Sequence, residues 1–339
     1  NQLLTQMTEK PSLIVLTPVR NEAWVLDAFL TCTSSWADHI IIADHHSDDG
    51  SREIAAKYGK VTLIDNPCHE WVEYECRARL LEEAAKIPGD KIIFGIDADE
   101  FLSEGFEKTE GWKQIVNSKP NEIFCLGWMN LYDDFCKYDM PDYRAEWIAH
   151  YGTDVDIVAE YRSREHHSVH CARVPCLETD RCRYTMIDDI KFVHLAKLNH
   201  QRVQNKVDFY QVVWHDKNEE PISCIAVYRG YNQYYPACME HRSEPVRLCC
   251  FGNDEDLCSL VKMSDNGLHY IEEIKQIFAR RGSDYFALLG IWDNPYLKDL
   301  APKMALKYRF LHWYLRVTQK YYPKKSLVLL DKVLKRFYR

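Results

Sequence analysis

Five short apolar runs punctuate the first 130 residues: SLIVLT from Ser12, HIIIAD from His39, VTLID from Val61, KIIFGI from Lys91 and EIFCLG from Glu122. Rich in Ile, Val, Leu and Phe, they have the pattern of strands covered on both faces. Between them lie NEAWVLDAFLTCTSSW, SREIAAKYG and EWVEYECRARLLEEAAKI, and the first and third carry apolar residues at helical spacing. Strand, helix, strand, helix predicts an α/β fold, with a Rossmann-like, mostly parallel sheet flanked by helices. The second half reads as more helical. Such sheets bind ligands beyond the carboxyl ends of their strands.

The polar residues fall at those ends. PVRNE (18–22) follows the first run, ADHHSDDGS (43–51) the second and DADE (97–100) the fourth, so three loops bring acids to one edge. Two of these loops also have a plainer reading. Asp49, Gly50 and Ser51 suit a turn and a helix N-cap, and Asp44 suits a solvated strand end. The DADE acids suit a turn open to water. Yet clustered carboxylates after a buried strand repel one another and lose hydration unless something positive joins them.

On an extended segment Asp97 and Asp99 share a face, so both can contact one cation or its bound water. Oxygen ligands select hard ions, here Mg²⁺ or Mn²⁺, that keep positions open for substrate phosphates. No G-x-x-x-x-G-K-[ST] loop and no G-x-G-x-x-G follows the first run, which removes the main support for ATPase and dinucleotide readings. A metal–diphosphate site without those loops fits a nucleotide acting as leaving group.

With these motifs the chain resembles a family 2 glycosyltransferase of the GT-A fold. SLIVLTPVRNE is similar to that family's opening strand and P-x-x-N-E loop, and ADHHSDDGS to its V-D-D-G-S-T-D-G-T stretch. CRARLLEEA resembles the A-R-N-x-G-x-x-x-A helix, with Leu80 in place of glycine, and IDADEF matches D-x-D. The resemblance covers about the first 105 residues. It implies that Pro18 and Glu22 lie beside base and ribose, that Asp44 holds uracil or ribose, and that Arg77 lies near the base or diphosphate. His45 and His46 stand where the family has Asp-Gly. Asp97 and Asp99 would bind the ion, Asp97 also meeting the nucleotide. IKFVHLAKLNHQRVQNKVDFYQ is similar to a family segment in which a strand-end histidine completes the metal shell. That makes His194 the third ligand, with Lys206 or Lys197 near the phosphates. Without the resemblance, a lone histidine there reads as a hydrogen-bonded structural residue.

Inverting transfer needs a base for the acceptor hydroxyl. Relatives place a His-Glu pair before the final metal histidine, but here the stretch reads HHSVHCARVP and Cys171 takes the glutamate's place. Glu165 and His170 are the nearest substitutes, each with a structural alternative. The 13 cysteines lack regular pairing intervals and are expected as reduced, packed thiols. Cys171, Cys176 and Cys182 with His166, His167 and His170 could hold zinc, but no C-x-x-C unit supports it.

The organisation expected is a nucleotide-sugar-binding core over 1–130, an acceptor-side region over 131–300 and basic amphipathic helices over 301–339. Those last 39 residues hold eleven Lys and Arg and one acid, while the preceding 300 carry a balance of −18. They suit either packing on the body or an anionic membrane surface. NQLLTQMTEKPS does not read as a signal peptide, and no apolar run approaches eighteen residues. The expected location is cytoplasmic, or peripheral at the membrane. The leading function is inverting, metal-dependent transfer of a sugar from a nucleotide diphosphate, UDP by preference, to a glycan or lipid-linked acceptor. The alternatives are a nucleotidyltransferase and a nucleotide-sugar-binding relative without activity. No nucleic acid is among the expected partners.

Overall fold

The computed structural model describes residues 10–68, 72–163, 171–175, 181–217, 223–232, 240–248 and 257–338. Its elements run β1 (Ser12–Val19), α1 (Leu26–Ser34), β2 (His39–Asp44), α2 (Ser51–Ala55), β3 (Val61–Asp65), α3 (Glu73–Ala85), β4 (Lys91–Gly95) and β5 (Glu100–Leu102). Next come α4 (Glu110–Val116), β6 (Glu122–Tyr132), β7 (Lys137–Asp139), β8 (Arg144–Tyr151), α5 (Ile157–Arg162) and β9 (Arg183–Lys197). The rest are α6 (His200–Lys217), α7 (Cys224–Tyr231), β10 (Glu240–His241), α8 (Leu268–Arg281), α9 (Leu306–Gln319) and α10 (Lys325–Leu334).

The five apolar runs are strands, and four of them form the parallel array β3-β2-β1-β4. Their continuity has a direct cause. Along β1, Leu13 and Val15 enter a core with α1, while Ile14 and Leu16 enter a second core with α3 on the other face. Both faces are dry, so each residue gains from burial, about 1.5–3 kcal/mol for a fully buried Leu, Ile or Val. Leu80, in the helix position where the resemblance has glycine, is fully buried in that second core.

Beyond β4 the sheet turns mixed. β8 is antiparallel to β4, β6 is antiparallel to β8, and β9 runs parallel to β6 and antiparallel to β5. The α/β class therefore holds, its parallel pairs being those among β1 to β4 and the pair β6–β9. The boundary expected near 130 falls inside β6, which pairs along most of its length with β8 and β9.

Two compact units emerge: Asn1–Leu198 with Glu240–Met263, and Asn199–Met239 with Ser264–Arg339. The first holds the sheet. The second is helical, its core built from Phe209 and Val212 of α6, Ile271 and Ile274 of α8, and Leu311 and Leu315 of α9. Inside it the buried Arg229 donates from Nε to Asp331 of α10 at 2.9 Å and from Nη2 to Thr318 of α9 at 2.7 Å. Among the described residues no helix is long and apolar enough to cross a membrane, and none of the nine described cysteines forms a disulfide.

Candidate active site

The loops after β1 and β2 are laced together. The backbone N–H groups of Asn21, Glu22 and Ala23 donate to Ser47 Oγ, Ser51 Oγ and Asp49 Oδ2, at 2.9, 3.0 and 2.9 Å. In return Asn21 Oδ1 accepts from Asp48 N–H at 2.9 Å. Asn21 and His46, one in each loop, both adopt left-handed backbone, φ 53° and 55°. Such residues persist where surrounding contacts hold them. The turn role expected of Asp49 and Ser51 is thus real, and it shapes the edge. Glu22 accepts from the Trp24 indole and its carbonyl starts α1, while Pro18 remains partly exposed.

Asp44 ends β2 almost fully buried. Its Oδ2 accepts from Ser47 N–H at 3.2 Å and from Arg52 at 2.8 Å. Its Oδ1 has no hydrogen-bond partner among the described residues, and neither do Thr17 Oγ1 on β1 and Arg77 Nη1 on α3. A buried polar atom left unpaired costs about 1–3 kcal/mol, so three of them near one sheet edge mark a surface suited to a polar ligand.

His45, fully buried, accepts at Nδ1 from Asn66 Nδ2 at 3.1 Å. Burial, then the positive neighbours Arg20 and His46, push its pKa from 6.5 down to about 4, against the pull of Asp44. Between those values the unfolded chain takes up a proton that the folded chain refuses, so this contribution to stability is lost as pH falls. The full effect is on the order of 3 kcal/mol. His45→Gln should flatten that part of the acid limb; urea unfolding at pH 7 and pH 4.5 measures it, and an unchanged slope would rule out His45 as its source.

The DADE segment departs from expectation. It is a turn rather than an extended strand, closed by Glu100 N–H to Asp97 O at 3.0 Å, because β5 must swing round to pair with β9. The two aspartates therefore meet different partners. Asp97 accepts from Arg77 Nη2 at 2.9 Å on one oxygen and from Arg173 Nη2 at 2.7 Å on the other. Glu100, wholly buried, accepts from Arg173 Nη1, from Trp128 Nε1 at 3.0 Å and from Asp97 N–H at 3.0 Å. Arg77 also reaches Glu73 at 3.3 Å. Burial alone would lower both guanidinium pKa values, but the adjoining carboxylates outweigh it and raise them. Arg173 arrives through Gly95 of β4: a Cβ there would sit 2.7 Å from the Arg173 carbonyl oxygen and 2.8 Å from its Cβ.

Part of the positive charge demanded by the acids is thus built in. Among the described residues Glu73, Asp97, Asp99 and Glu100 are four carboxylates against the guanidiniums of Arg77 and Arg173, an arrangement that suits a further cation.

The sheet register sets the remaining acid. Glu100 of β5 lies opposite His194 of β9, which lies opposite Asn130 of β6. Asn130 Nδ2 donates to Asp139 at 2.8 Å, and a carboxylate only accepts, which fixes the amide. Asn130 Oδ1 then faces His194 Nδ1 at 2.9 Å, so Nδ1 carries the proton. In the neutral ring the lone pair lies on Nε2, 3.7 Å from Asp99 Oδ2, too far for a hydrogen bond. Trp128 stacks on the same ring at 5.2 Å while its N–H holds Glu100. A buried carboxylate beside an oriented imidazole nitrogen is a donor pair that fits Mn²⁺ or Mg²⁺ arriving with a diphosphate. No cluster of three potential ligands occurs among the described residues.

The structure thus gathers Asp97, Asp99, Arg77 and His194. Lys197 ends β9, its pKa lowered by burial, and donates to Tyr132 Oη at 2.8 Å. Lys206 lies on α6 in the helical unit. Glu165 and His170 lie outside the described residues, as do Cys176, His166 and His167 of the zinc expectation. Arg173, Asn130, Trp128 and Asp139 were not anticipated. The one hint was the carboxylate cluster itself, which required cations from elsewhere in the chain.

No family model matches the chain, and no curated protein matches it. Among solved structures it is similar to HddC from Yersinia pseudotuberculosis (10% identity, TM-score 0.32, covering 54% of this chain and 93% of that one). It is also similar to 4-diphosphocytidyl-2C-methyl-D-erythritol synthase (12%, 0.34, 53% and 89%). A third is a nucleotidyl transferase from Methanothermobacter thermautotroptrophicus (13%, 0.33, 55% and 88%). Likenesses this distant say nothing about substrate.

Proposed function

We propose that the chain is a metal-dependent glycosyltransferase that moves a sugar from a nucleotide diphosphate, with UDP the expected nucleotide, to a hydroxyl of a glycan or lipid-linked acceptor, with inversion. The observation that carries the reading is the Asp99–His194 pair, oriented through Asn130, with Asp99 in the turn that follows β4, the sheet neighbour of β1. Asp99 and His194 hold the ion, which when bound offsets charge on the departing diphosphate. Asp97, the remaining acid of the D-x-D match, seats Arg77 and Arg173. Asp44 Oδ1 and Thr17 Oγ1 meet the base or ribose, beside Pro18 and Glu22. Lys197 meets the phosphates. The acceptor oxygen bonds to the anomeric carbon as the bond to the diphosphate breaks, and its proton passes to a base, Glu165 or His170.

A nucleotidyltransferase would use the loop after β1 to cradle a triphosphate on backbone N–H groups. Here three consecutive N–H groups of that loop are already committed to Ser47, Ser51 and Asp49. That favours the glycosyl reading.

The test is thermal unfolding with a panel of nucleotide sugars, with and without Mn²⁺. A ligand at 100 times its Kd stabilises by about 2.7 kcal/mol, so the true donor should raise Tm much further when the ion is present. Release of nucleoside diphosphate then marks a transferase, whereas pyrophosphate release from a nucleoside triphosphate and a sugar phosphate would replace this reading with the other. Binding without turnover under any acceptor would indicate a relative that lacks activity.

A further inference from the structure

The last two helices resolve into faces with different duties. On α9, Leu311, Tyr314 and Leu315 are buried in the helical unit, but Leu306, Phe310, Trp313 and Val317 are 80, 51, 53 and 43% exposed. Those four are spaced four, three and four apart, so they form one stripe. On α10, Leu327 and Leu334 pack inward, as does Tyr338 beyond its end, while Leu329, Val333 and, past the helix, Phe337 are 66, 46 and 73% exposed at intervals of four. Exposed apolar residues on a folded domain are ordinarily scattered; lined up on two helices they mark an interaction surface.

Rolling the helices inward cannot hide these stripes. Asp331 of α10 accepts from Arg229 and, at 2.7 Å, from Tyr314 of α9, and Tyr338 Oη donates to the Lys307 carbonyl at 2.9 Å. The inner faces are pinned by buried polar groups that rotation would strip of partners.

Charge selects the occupant. Lys307, Arg309, Lys320, Lys325, Lys332 and Arg336 flank the stripes and are exposed, and the one acid of the stretch is the buried Asp331. Among the described exposed bases of residues 301–338, Arg316 alone reaches an acid, Asp293. The exposed Tyr321 has the Lys320 and Lys324 ammonium groups 4.9 and 5.0 Å from its ring centre. A second copy would bring basic surface against basic surface, which disfavours self-association. An anionic surface is attracted, and the −18 balance of the remaining sequence means that it is attracted here and repelled elsewhere. We propose that the outer faces of α9 and α10 dock on an anionic lipid surface, the stripes entering the headgroup boundary and the lysines and arginines meeting lipid phosphates. The docking does not depend on the chemistry proposed above.

The experiment is co-sedimentation of the full chain with phosphatidylglycerol-containing vesicles and with pure phosphatidylcholine vesicles, at low and high salt. Binding should require the anionic lipid and weaken with salt. Phe310→Ser with Trp313→Ser and Phe337→Ser should reduce it at least about tenfold, with an unchanged melting temperature, because all three positions face outward. Trp313→Phe should keep binding but lose the part of the tryptophan quenching by brominated lipid that Trp313 supplies. Absence of binding to anionic vesicles at low salt would overturn the proposal, as would full binding by the triple variant. So would lipid-independent dimers that the triple variant abolishes, since these would make a second copy the occupant.

Discussion

Arg173→Met is expected to cost the fold about 3–5 kcal/mol, because it strands a wholly buried glutamate. Glu100 would lose its only cationic partner among the described residues, and Asp97 would lose the guanidinium on its Oδ2, while the indole and backbone donors on Glu100 stay in place. Lysine should not rescue it. The guanidinium serves two carboxylates through separate nitrogens, a fork that a single ammonium does not reproduce. Glu100→Gln in the same chain should recover most of the loss by removing the buried charge. A double-mutant cycle in urea reads both effects. A single-variant cost under about 1 kcal/mol would mean that water or a neighbour takes over the role of Arg173.

The second large effect falls on ligand binding. Asp99→Asn and His194→Ala should each abolish the Mn²⁺-dependent part of nucleotide diphosphate binding, while binding without metal persists at its low level. Asn130→Ala, which touches no ligand in the proposed reading, should weaken the metal-dependent part about 10–100-fold by releasing the His194 tautomer. Titration calorimetry separates these cases, and the spectrum of bound Mn²⁺ reports its shell without reference to turnover. Should His194→Ala bind ion and nucleotide as the parent does, the histidine is structural and Trp128 is simply its stacking partner. Asp44→Ala should weaken nucleotide binding even without metal, which distinguishes loss of the base pocket from loss of the ion site.

The readable part of the chain was the part whose physics is local. Strands β1, β2 and β4 are legible because burial on both faces leaves near-continuous apolar runs, and the loops after them follow in order. β9 is another matter. RYTMIDDIKFVHLAK runs from mostly exposed to mostly covered residues without regular alternation, and its pairing with β6 and β5 is what carries His194 to Asp99. The residue was identifiable by resemblance, but the row Glu100–His194–Asn130 that orients it exists only in register. Arg173 was out of reach, for it lies 76 residues from Asp97 and is admitted by the missing side chain of Gly95. The shared face expected of Asp97 and Asp99 failed for a related reason: the demand of β5 for a partner bends the segment into a turn, and no pattern in DADE announces it. The basic helices were open to two readings, packed or membrane-facing. The structure answers the packing question on their inner faces, and the exposed outer stripes are what the proposed lipid docking would use.

The sheet unit is written in two pieces, with part of the helical unit spelled between them. The second piece is no ornament: Val246, Leu248, Leu257 and Val261 are buried in the same core as α1, and Lys262 N–H donates to the Trp24 carbonyl at 2.7 Å. A gene cut after Leu198 would therefore encode a sheet with a hole along α1, and the complementary fragment would carry an apolar segment with nowhere to go. Exchange of either unit between genes needs two junctions to change together, so recombination should pass the pair on as one inheritable block. Change in this lineage should then come by substitution at the loops and outer faces rather than by shuffling of parts.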